Sequence, residues 1–376
     1  MSRVGIVCDI AGEEWPSMDL VAGELIAHLQ AARSSFVPTE LRAPTTWRLA
    51  RVPLIGSQPP VRTLDRLINR YRDYPRWLET HRQGQDLFHI IDHSYAHLAA
   101  VLPDRPVVVT CHDLDAFRPV LQPGEEPRPR WFRALVARTL AGLRQATRVA
   151  CVSAAVRDEL ASAGLVDVAR ARVVPNGVDD AMRATADTAA DSRAERLLGA
   201  PRSADILHVG SAIQRKRIDV LLQAFARVHR AHPESRLVRV GSLTGPQRAL
   251  AVTLGVHDAL VELPFLERDV LAAVYRRARV VMMPSDREGF GLPVAEGLAC
   301  GALVVASDIA SLRETGGDAA VYARPGDDAA FADAALRLID TAPEDRRARG
   351  IRHAARFTWA AHAASMEAIY REVDTV

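Results

Sequence analysis

Residues 206–225 read ILHVGSAIQRKRIDVLLQAF. The apolar run Ile206–Val209 ends in Gly210 and Ser211, and apolar residues then recur at helical spacing from Ile218 to Phe225. A buried strand that passes through a glycine turn into an amphipathic helix is the repeating unit of a parallel sheet covered by helices. The segment therefore predicts an α/β fold.

The same alternation of apolar runs and amphipathic stretches extends in both directions. Predicted strands of the first half are Val4–Ile10, Leu87–Ile91, Val107–Cys111, Val149–Val152 and Val173–Val174, with helices at Met18–Gln30, Thr63–Thr80 and Trp131–Leu143. Predicted strands of the second half are Ile206–Val209, Leu237–Val240, Val261–Leu263, Val280–Met283 and Leu303–Ala306. Because these strands are apolar almost throughout, both faces of each sheet are covered. We predict two Rossmann-like domains with parallel sheets.

The length of 376 residues corresponds to about two domains. Turn residues fill Pro175–Asp180, and the polar stretch Ala184–Ala204 precedes the next buried strand. The tail from Arg347 to Val373 has the pattern of two helices with a break at Phe357 and Trp359. We predict a first domain at 1–185, a second at 200–356, and a final helix at 357–376 that packs back on the first.

Composition excludes several classes of protein. Hydrophobic residues make up 48% and charged residues 25%, and no apolar run reaches the roughly 18 residues that span a bilayer. The N-terminus enters a strand-like run without the features of a secretory leader, which predicts a cytoplasmic protein. A net charge of +2 is too small to indicate a nucleic-acid partner. The four cysteines are far apart, so neither disulfides nor a metal site is expected.

One basic residue stands out by its chemistry. Of the 48 basic residues, 47 are arginine and one is Lys216, which lies between Arg215 and Arg217 before the helix that starts near Ile218. The dipole of a helix N-terminus disfavours cations by about 0.3–1 kcal/mol each and attracts anions. Cations placed there indicate a bound anion such as a diphosphate. The alternative is a solvated basic turn.

A second group of residues follows the predicted strand Val280–Met283. Residues 284–297 read PSDREGFGLPVAEG, with the carboxylates Glu288 and Glu296 on either side of Gly289 and Gly291. Glycines let backbone amides approach a ligand, and carboxyl ends of parallel strands are where open α/β sheets bind ligands. We predict that Glu296 accepts hydrogen bonds from a ribose diol and that Glu288 reaches sugar hydroxyls. The alternative is an acidic pair that only supports the helix dipole.

Together these residues resemble the retaining glycosyltransferases of family four, which have the GT-B fold. The resemblance rests on Glu288 and Glu296 with seven residues between them in the Glu-Gly-Phe-Gly-Leu-Pro block, on Arg215-Lys216, and on the Val174–Val178 turn. Residues from Ser307-Asp308 to Glu314 and Asp318 fit the same family. The second half of the chain carries the resemblance closely and the first half loosely.

The resemblance implies a nucleotide-sugar donor in the second domain, a hydroxyl acceptor in the first, a cleft between them, and retention of configuration without a metal or other cofactor. It assigns the diphosphate to Arg215 and Lys216 and the ribose to Glu296. It assigns the transferred sugar to Glu288 and to the backbone at Gly210, Ser211, Gly289, Phe290, Gly291 and Leu292. Three positions depart from the family pattern: Ser211, where many members have arginine; Arg217, where many have glycine; and the first loop, Glu13–Ser17, which lacks glycines.

The first half offers weaker candidates. His112 ends the strand Val107–Cys111 and resembles the family's histidine near the transferred sugar; the alternative is a histidine bonded within its own loop. Asp113, two residues before Asp115, is interpreted as a helix cap or an acceptor contact, because the metal-binding Asp-x-Asp belongs to another fold. Asp92–Tyr95 follows the preceding strand and is a further candidate.

Other readings remain open. The basic stretch with Arg128, Arg130, Arg133, Arg138, Arg144 and Arg148, beside Trp131 and Phe132, is either a solvated helix face or a contact with an anionic membrane. The expected activity is hexosyl transfer of the kind used in polysaccharide biosynthesis. The alternatives are an epimerase or phosphorylase on the same fold and a non-catalytic nucleotide-sugar-binding protein. The first loop lacks the G-x-G-x-x-G fingerprint of a nicotinamide dehydrogenase.

Overall fold

The chain was analysed as a computed structural model that describes residues 1–13, 16–51, 58–200, 204–341 and 343–374. It divides into two compact units: residues 1–176 with 359–376, and residues 177–358. Each unit contains a six-stranded parallel sheet with helices packed on it, which confirms the predicted α/β class. In the described part of the chain, no helix has the length and apolarity needed to cross a bilayer.

The sheet of the first unit has the strand order β2-β1-β3-β4-β5-β6. Its strands are β1 Ser2–Val7, β2 Phe36–Leu41, β3 Leu87–Ile90, β4 Val107–Cys111, β5 Arg148–Cys151 and β6 Ala171–Val173. Its helices are α1 Pro16–Ala31, α2 Pro59–Ile68, α3 Tyr74–His81, α4 Arg118–Leu121, α5 Arg130–Gln145, α6 Ala154–Ser162 and, from the C-terminal end of the chain, α15 Trp359–Asp374. The short segments His93–Val101, Asp115–Phe117 and Val168–Arg170 are 3₁₀ turns.

The sheet of the second unit has the order β12-β11-β10-β7-β8-β9. Its strands are β7 Asp205–Val209, β8 Arg236–Val240, β9 Leu260–Leu263, β10 Val280–Met283, β11 Leu303–Ser307 and β12 Val321–Ala323. Its helices are α7 Thr188–Leu198, α8 Ile218–Ala231, α9 Gly245–Thr253, α10 Arg268–Arg277, α11 Leu292–Ala299, α12 Ala310–Gly316, α13 Asp328–Thr341 and α14 Glu344–Ala354. The face formed by α8 and α13 buries an apolar cluster in which Phe225 and Phe331 are fully enclosed.

Two strands were missed because both lie at sheet edges. In β2, exposed and buried residues alternate and Pro38 interrupts the apolar run, as edge strands allow. β12 has three residues, too few for a visible pattern. The helix predicted at Thr63–Thr80 is present but is interrupted by a π-helical segment at Asn69–Asp73.

The boundary between the units differs from the predicted one. The first unit ends at Asn176, not at 185, and the polar stretch Ala184–Ala204 contains α7. Asp187 caps α7 through the amides of Ala189 and Ala190. Arg276 and Arg193, one on α10 and one on α7, form ion pairs that hold the two helices together. A segment rich in Ala, Asp and Arg therefore forms a packed amphipathic helix rather than a linker.

Helix α15 completes the core of the first unit. Trp359, Met366 and Tyr370 are buried against β1 and α1. The Tyr370 hydroxyl lies 2.7 Å from Nδ1 of the fully buried His89, and Ser2 Oγ donates to Asp374 at 2.7 Å. The last sixteen residues of the described chain are therefore part of the first unit.

Candidate functional site

The carboxyl ends of β7 and β10 lie side by side in the second unit. These two strands pair in parallel at the position where the strand order of the sheet reverses. Such a switch point leaves a crevice at the strand ends, because the two connections leave in opposite directions. Arg215 and Lys216 follow β7, and Glu288 follows β10.

Arg215, Lys216 and Glu288 form one ion-pair group at this switch point. Lys216 Nζ donates to Glu288 Oε1 at 2.6 Å, and Arg215 Nη1 donates to Glu288 Oε2 at 3.1 Å. Ser285 Oγ donates to Glu288 Oε1 at 2.7 Å. The Asp286 amide donates to the Arg215 carbonyl at 2.8 Å, so the two loops are also joined through their backbones.

The charge of this group is held in a nearly dry environment. The Glu288 side chain is 7% exposed and that of Lys216 is 11% exposed. Burial raises the pKa of Glu288, but Lys216 and Arg215 outweigh that effect and hold the pKa below its ordinary value. Glu288 is therefore a carboxylate near neutral pH, and the group carries one net positive charge.

Arg217 is arranged differently from its two neighbours. Its backbone is left-handed, with φ of 48°, a conformation that favours glycine. Its guanidinium binds Asp219 at 2.9 Å and Asp286 at 2.9 Å. Asp219 lies in the first turn of α8, and although burial raises its pKa, Arg217 outweighs that effect and holds the pKa below its ordinary value. The sequence predicted an external anion at that helix start, and the structure shows that the first turn already carries this carboxylate.

The start of α11 has no such group. Gly291, with φ of 88°, precedes the helix, no side chain caps it, and its first turn carries no acidic residue. A Cβ at Gly291 would lie 2.3 Å from Leu312 Cδ2, so the close packing requires glycine. The Phe290 side chain packs edge-on against Phe357, and Leu292 begins the helix. The backbone amides at the start of this eight-residue helix are therefore suited to bind an anion or a hydroxyl group.

Glu296 is buried on the next turn of α11. It is 5% exposed, and its Oε2 accepts a hydrogen bond from the hydroxyl of Tyr275 on α10 at 2.8 Å. Burial raises its pKa, and the hydrogen bond from Tyr275 offsets part of that increase. The sequence predicted Glu296 as the ribose ligand, and in the structure its carboxylate also accepts the hydrogen bond from Tyr275. That partner comes from a helix 21 residues earlier, and no local motif indicates it.

A buried cation below the ends of β7 and β8 was also missed. Arg239 is fully buried, and its Nη1 lies 2.8 Å from Nδ1 of the equally buried His208. The charge of Lys216 acts on His208 as well. Gly210 comes two residues after His208, at the end of β7, and the next residue, Ser211, is exposed. A basic residue in each of two neighbouring apolar strands was the available signal, since buried arginine in a central strand is rare.

The candidate residues of the first unit lie at the ends of β3 and β4. His112 Nε2 lies 2.9 Å from the Ile91 carbonyl, which places the proton on Nε2. Burial lowers the pKa of His112, although Asp92 acts in the opposite direction, so the ring is neutral near pH 7. Asp113 Oδ1 accepts a hydrogen bond from the Asp115 amide at 3.0 Å, the geometry of an Asx turn that leads into the segment Asp115–Phe117.

Two further sequence expectations concern charge and metals. The basic stretch forms α5 and the residues before it, and its exposed arginines are Arg128, Arg130, Arg133, Arg138 and Arg144. Arg148 instead binds Glu372 at 3.0 Å. Within the ranges that the structure describes, no three histidine, cysteine or acidic side chains form a group that would hold a metal ion.

Comparisons with known proteins show the family to which the chain belongs. Residues 203–341 match the family profile described as glycosyl transferases group 1, and residues 24–181 match that of glycosyltransferase family 4. A D-inositol 3-phosphate glycosyltransferase of Xylanimonas cellulosilytica is 34% identical over 295 residues, which cover 73% of this chain and 68% of that protein. One from Acidothermus cellulolyticus is 36% identical over 218 residues, covering 54% of this chain and 48% of the relative. The match thus spans about half of that relative's length.

Solved structures show the same fold at low identity. A sucrose-phosphate synthase of Thermosynechococcus elongatus superposes with a TM-score of 0.74, at 20% identity and with 99% of each chain covered. The Anabaena protein HepE, solved with UDP and glucose, gives a TM-score of 0.75 at 15% identity, covering 99% of this chain and 100% of its own. The fold is therefore that of GT-B proteins.

Proposed function

Because the chain belongs to the group 1 glycosyltransferases of family four, we propose that it moves a sugar from a nucleoside diphosphate donor to a hydroxyl acceptor. We further propose that configuration at the anomeric carbon is retained and that no metal is required. The observation that supports this most is the group of Arg215, Lys216 and Glu288 at the switch point of the second sheet.

The proposed donor site uses the ion-pair group as a charge reserve. As the sugar–phosphate bond breaks, negative charge grows on the departing diphosphate, and fixed positive charge at that place is the largest catalytic effect available. Lys216 and Arg215 supply that charge, and the start of α11 supplies backbone amides. Glu288, freed from part of its pairing by the diphosphate, is then placed to bind hydroxyls of the transferred sugar.

Retention follows if the acceptor attacks from the face that the diphosphate leaves. A phosphate oxygen then takes the acceptor's proton, so no protein carboxylate is needed as a nucleophile. Glu288 is better suited to bind sugar hydroxyls than to act as a nucleophile, because its negative charge is already paired with Lys216 and Arg215. We also propose Glu296 as the ribose ligand, His112 as the histidine near the transferred sugar, and Asp113 as an acceptor contact.

The named properties of similar proteins indicate which compounds to test first. HepE has been solved with UDP and with UDP-glucose, so UDP-glucose is the first donor. The two relatives above are named for D-inositol 3-phosphate, so inositol and its phosphates are the first acceptors.

The experiment is turnover of UDP-, GDP- and ADP-sugars with and without acceptors, with nucleoside diphosphate release and the anomeric configuration of the product measured by NMR. We expect release that increases with acceptor, an unchanged anomeric configuration and full activity in EDTA. Free sugar or sugar phosphate without a transfer product would favour an epimerase or phosphorylase, and binding without turnover a non-catalytic protein.

A contact between the arginine face of α5 and an anionic membrane is a separate part of the proposal. The exposed arginines named above and Trp131, which is 57% exposed, support it. Co-sedimentation with phosphatidylglycerol vesicles at low salt tests it. Loss of sedimentation when Arg133 and Arg138 are both changed to glutamate is the expected result, and no binding by the unchanged protein would refute it.

A further inference from the structure

Asp9, which follows β1, is buried without a hydrogen-bond partner. The residue is 5% exposed, and neither carboxylate oxygen has a partner among the residues that the structure describes. Burying a polar group without a hydrogen bond is costly, and such groups in native proteins call for a specific explanation. The Asp9 carbonyl, by contrast, accepts a hydrogen bond from Arg42 at 3.2 Å.

Other carboxylates surround Asp9. The register of β1 with β3 pairs Val7 with Ile90, and continuing it by two residues brings Asp9 beside Asp92. Burial raises the pKa of Asp9 to about 8, and Asp92 and Glu13 act in the same direction. We call Asp9, Glu13 and Asp92 the strand-end carboxylates.

One guanidinium opposes this group. Arg70 lies over the ring of Tyr95 at 4.1 Å from its centroid, and it lowers the pKa of Asp9 less than burial and the two carboxylates raise it. The Tyr95 hydroxyl donates to Glu13. The Arg42 side chain is engaged elsewhere, by Asp19 at 2.6 Å and Glu40 at 2.7 Å. The strand-end carboxylates therefore carry an excess of negative charge.

The position is one at which sheets of this kind bind ligands. The connection after β1 leads to β2 on one side, and β3 lies on the other, so the strand order reverses between β1 and β3. His93, at the end of β3, has a second unpartnered buried atom, Nε2, which lies 3.6 Å from Asp113 Oδ1. The Asp9 oxygens follow β1 and this ring nitrogen follows β3, the two strands on either side of the switch point.

Resting on the proposed glycosyltransferase function, we propose that this switch point binds the acceptor, that the Asp9 carboxylate accepts hydrogen bonds from acceptor hydroxyls, and that the strand-end carboxylates select acceptors without a phosphate group. A phosphate dianion here would face two charged carboxylates, Glu13 and Asp92, beside the protonated Asp9 and one guanidinium, and repulsion between like charges at a buried site is strong. A neutral polyol or sugar supplies the hydroxyl donors that Asp9 lacks. The specificity thus differs from that in the names of the relatives, whose acceptor is an inositol phosphate.

The test compares matched acceptors with the full-length protein and the donor that it turns over. The pairs are myo-inositol with inositol 3-phosphate and glucose with glucose 6-phosphate. We expect kcat/KM for the neutral member to be higher by about tenfold or more. We expect Asp9→Asn to raise the KM for the neutral acceptor by roughly 10- to 100-fold, the usual effect of losing a charged hydrogen bond.

Asp104→Asn is the matched control, because this carboxylate of the same unit is 78% exposed and lies 3.8 Å from Arg82. It should change neither constant. A preference for the phosphorylated acceptors, or a wild-type acceptor KM in Asp9→Asn, would overturn the inference while leaving donor turnover, and thus the proposed function, intact.

Absence of donor turnover would instead refute the proposed function, and the inference is then tested by binding alone. Saturation-transfer NMR with the same acceptor pairs should show contacts for the neutral members that Asp9→Asn abolishes. Equal or absent binding of the neutral and phosphorylated members would overturn it.

Discussion

The two sheets present opposite charges at equivalent positions. At the switch point of the second unit, between β7 and β10, Arg215 and Lys216 share one carboxylate, and every one of these charged groups has a partner. At the switch point of the first unit, between β1 and β3, carboxylates predominate, and Asp9 has no hydrogen-bond partner among the described residues. The architecture provides a crevice in each unit, and the side chains at the strand ends decide whether an anion or a hydroxyl donor fits there.

The difference also shows how each unit holds its charge in the absence of a ligand. Glu288 neutralises part of the positive charge, so the second site is internally compensated. In the first unit the charge of Asp9 is removed by a proton instead, because burial raises the pKa of Asp9 to about 8. A ligand therefore has to displace an ion pair in one unit and a proton in the other.

The largest effect is expected for Lys216→Ala. Loss of one preorganised donor at a developing charge costs about 10²–10³ in kcat, and Lys216 has the shortest contact with Glu288, 2.6 Å. Steady-state kinetics with saturating donor measures it, and circular dichroism checks that the fold is intact. Arg230→Ala, an exposed change on helix α8, which begins two residues after Lys216, should retain wild-type turnover.

Wild-type kcat in Lys216→Ala would remove the second unit from the comparison as a site of charge stabilisation. Arg215→Ala is expected to lower kcat by a factor in the same range of about 10²–10³, since Arg215 holds the other oxygen of Glu288.

A smaller effect is expected for Asp9→Asn, which should stabilise the fold, whereas the two substitutions above should lower kcat. The folded pKa of about 8 lies above the ordinary value of 3.8, so the folded protein keeps a proton that the unfolded chain releases. Asp9 therefore reduces stability progressively as the pH rises through this window, with the full penalty above about pH 8. Replacing it by asparagine should raise the free energy of unfolding by about 1–3 kcal/mol at pH 8.

The gain should shrink toward zero as the pH approaches 4, which urea unfolding at pH 8, 6 and 4.5 measures. A loss of stability at pH 8 would mean that Asp9 has a stabilising partner, and the contrast between the two switch points would disappear.

The smallest effect is expected for Arg239→Met. This fully buried guanidinium contacts His208 and lies in the same unit as Lys216, so its charge contributes at a distance to anion binding. Removing one such charge should weaken UDP binding by roughly three- to tenfold, given an effective dielectric constant near 20. Isothermal titration measures it. Unchanged or tighter binding would show that Arg239 serves only the packing of β8.

The sequence predicted the second unit better than the first for a physical reason. Arg215, Lys216, Glu288 and Gly291 lie in two continuous segments whose residue types already indicate a ligand, and the fold needs only to bring β7 beside β10. Tyr275, His208 and Arg239 were missed because their partners lie on other strands or helices, 21 to 31 residues away. Such pairs have no local pattern.

In the first unit the informative residue was hidden by its neighbours. Asp9 stands inside the apolar run Val4–Ile10, which was interpreted wholly as strand, although β1 ends at Val7. An aspartate near the end of such a run is the signal that would have indicated it. Asp92–Tyr95 was noticed, but without the pairing of β1 and β3 it had no partner in the sequence.

The placement of α15 has a consequence for synthesis on the ribosome. Residues 177–358 are continuous, and their two ends meet where the Val178 amide donates to the Phe357 carbonyl at 2.9 Å. The second unit therefore has all of its strands once residue 358 has left the ribosome. At that point the first 176 residues still lack helix α15, whose Trp359 and Tyr370 belong to the core of the first unit. The part translated first is therefore completed last, and a nascent chain stalled or cleaved near residue 358 would leave an open apolar groove over β1, exposed to chaperones and proteases.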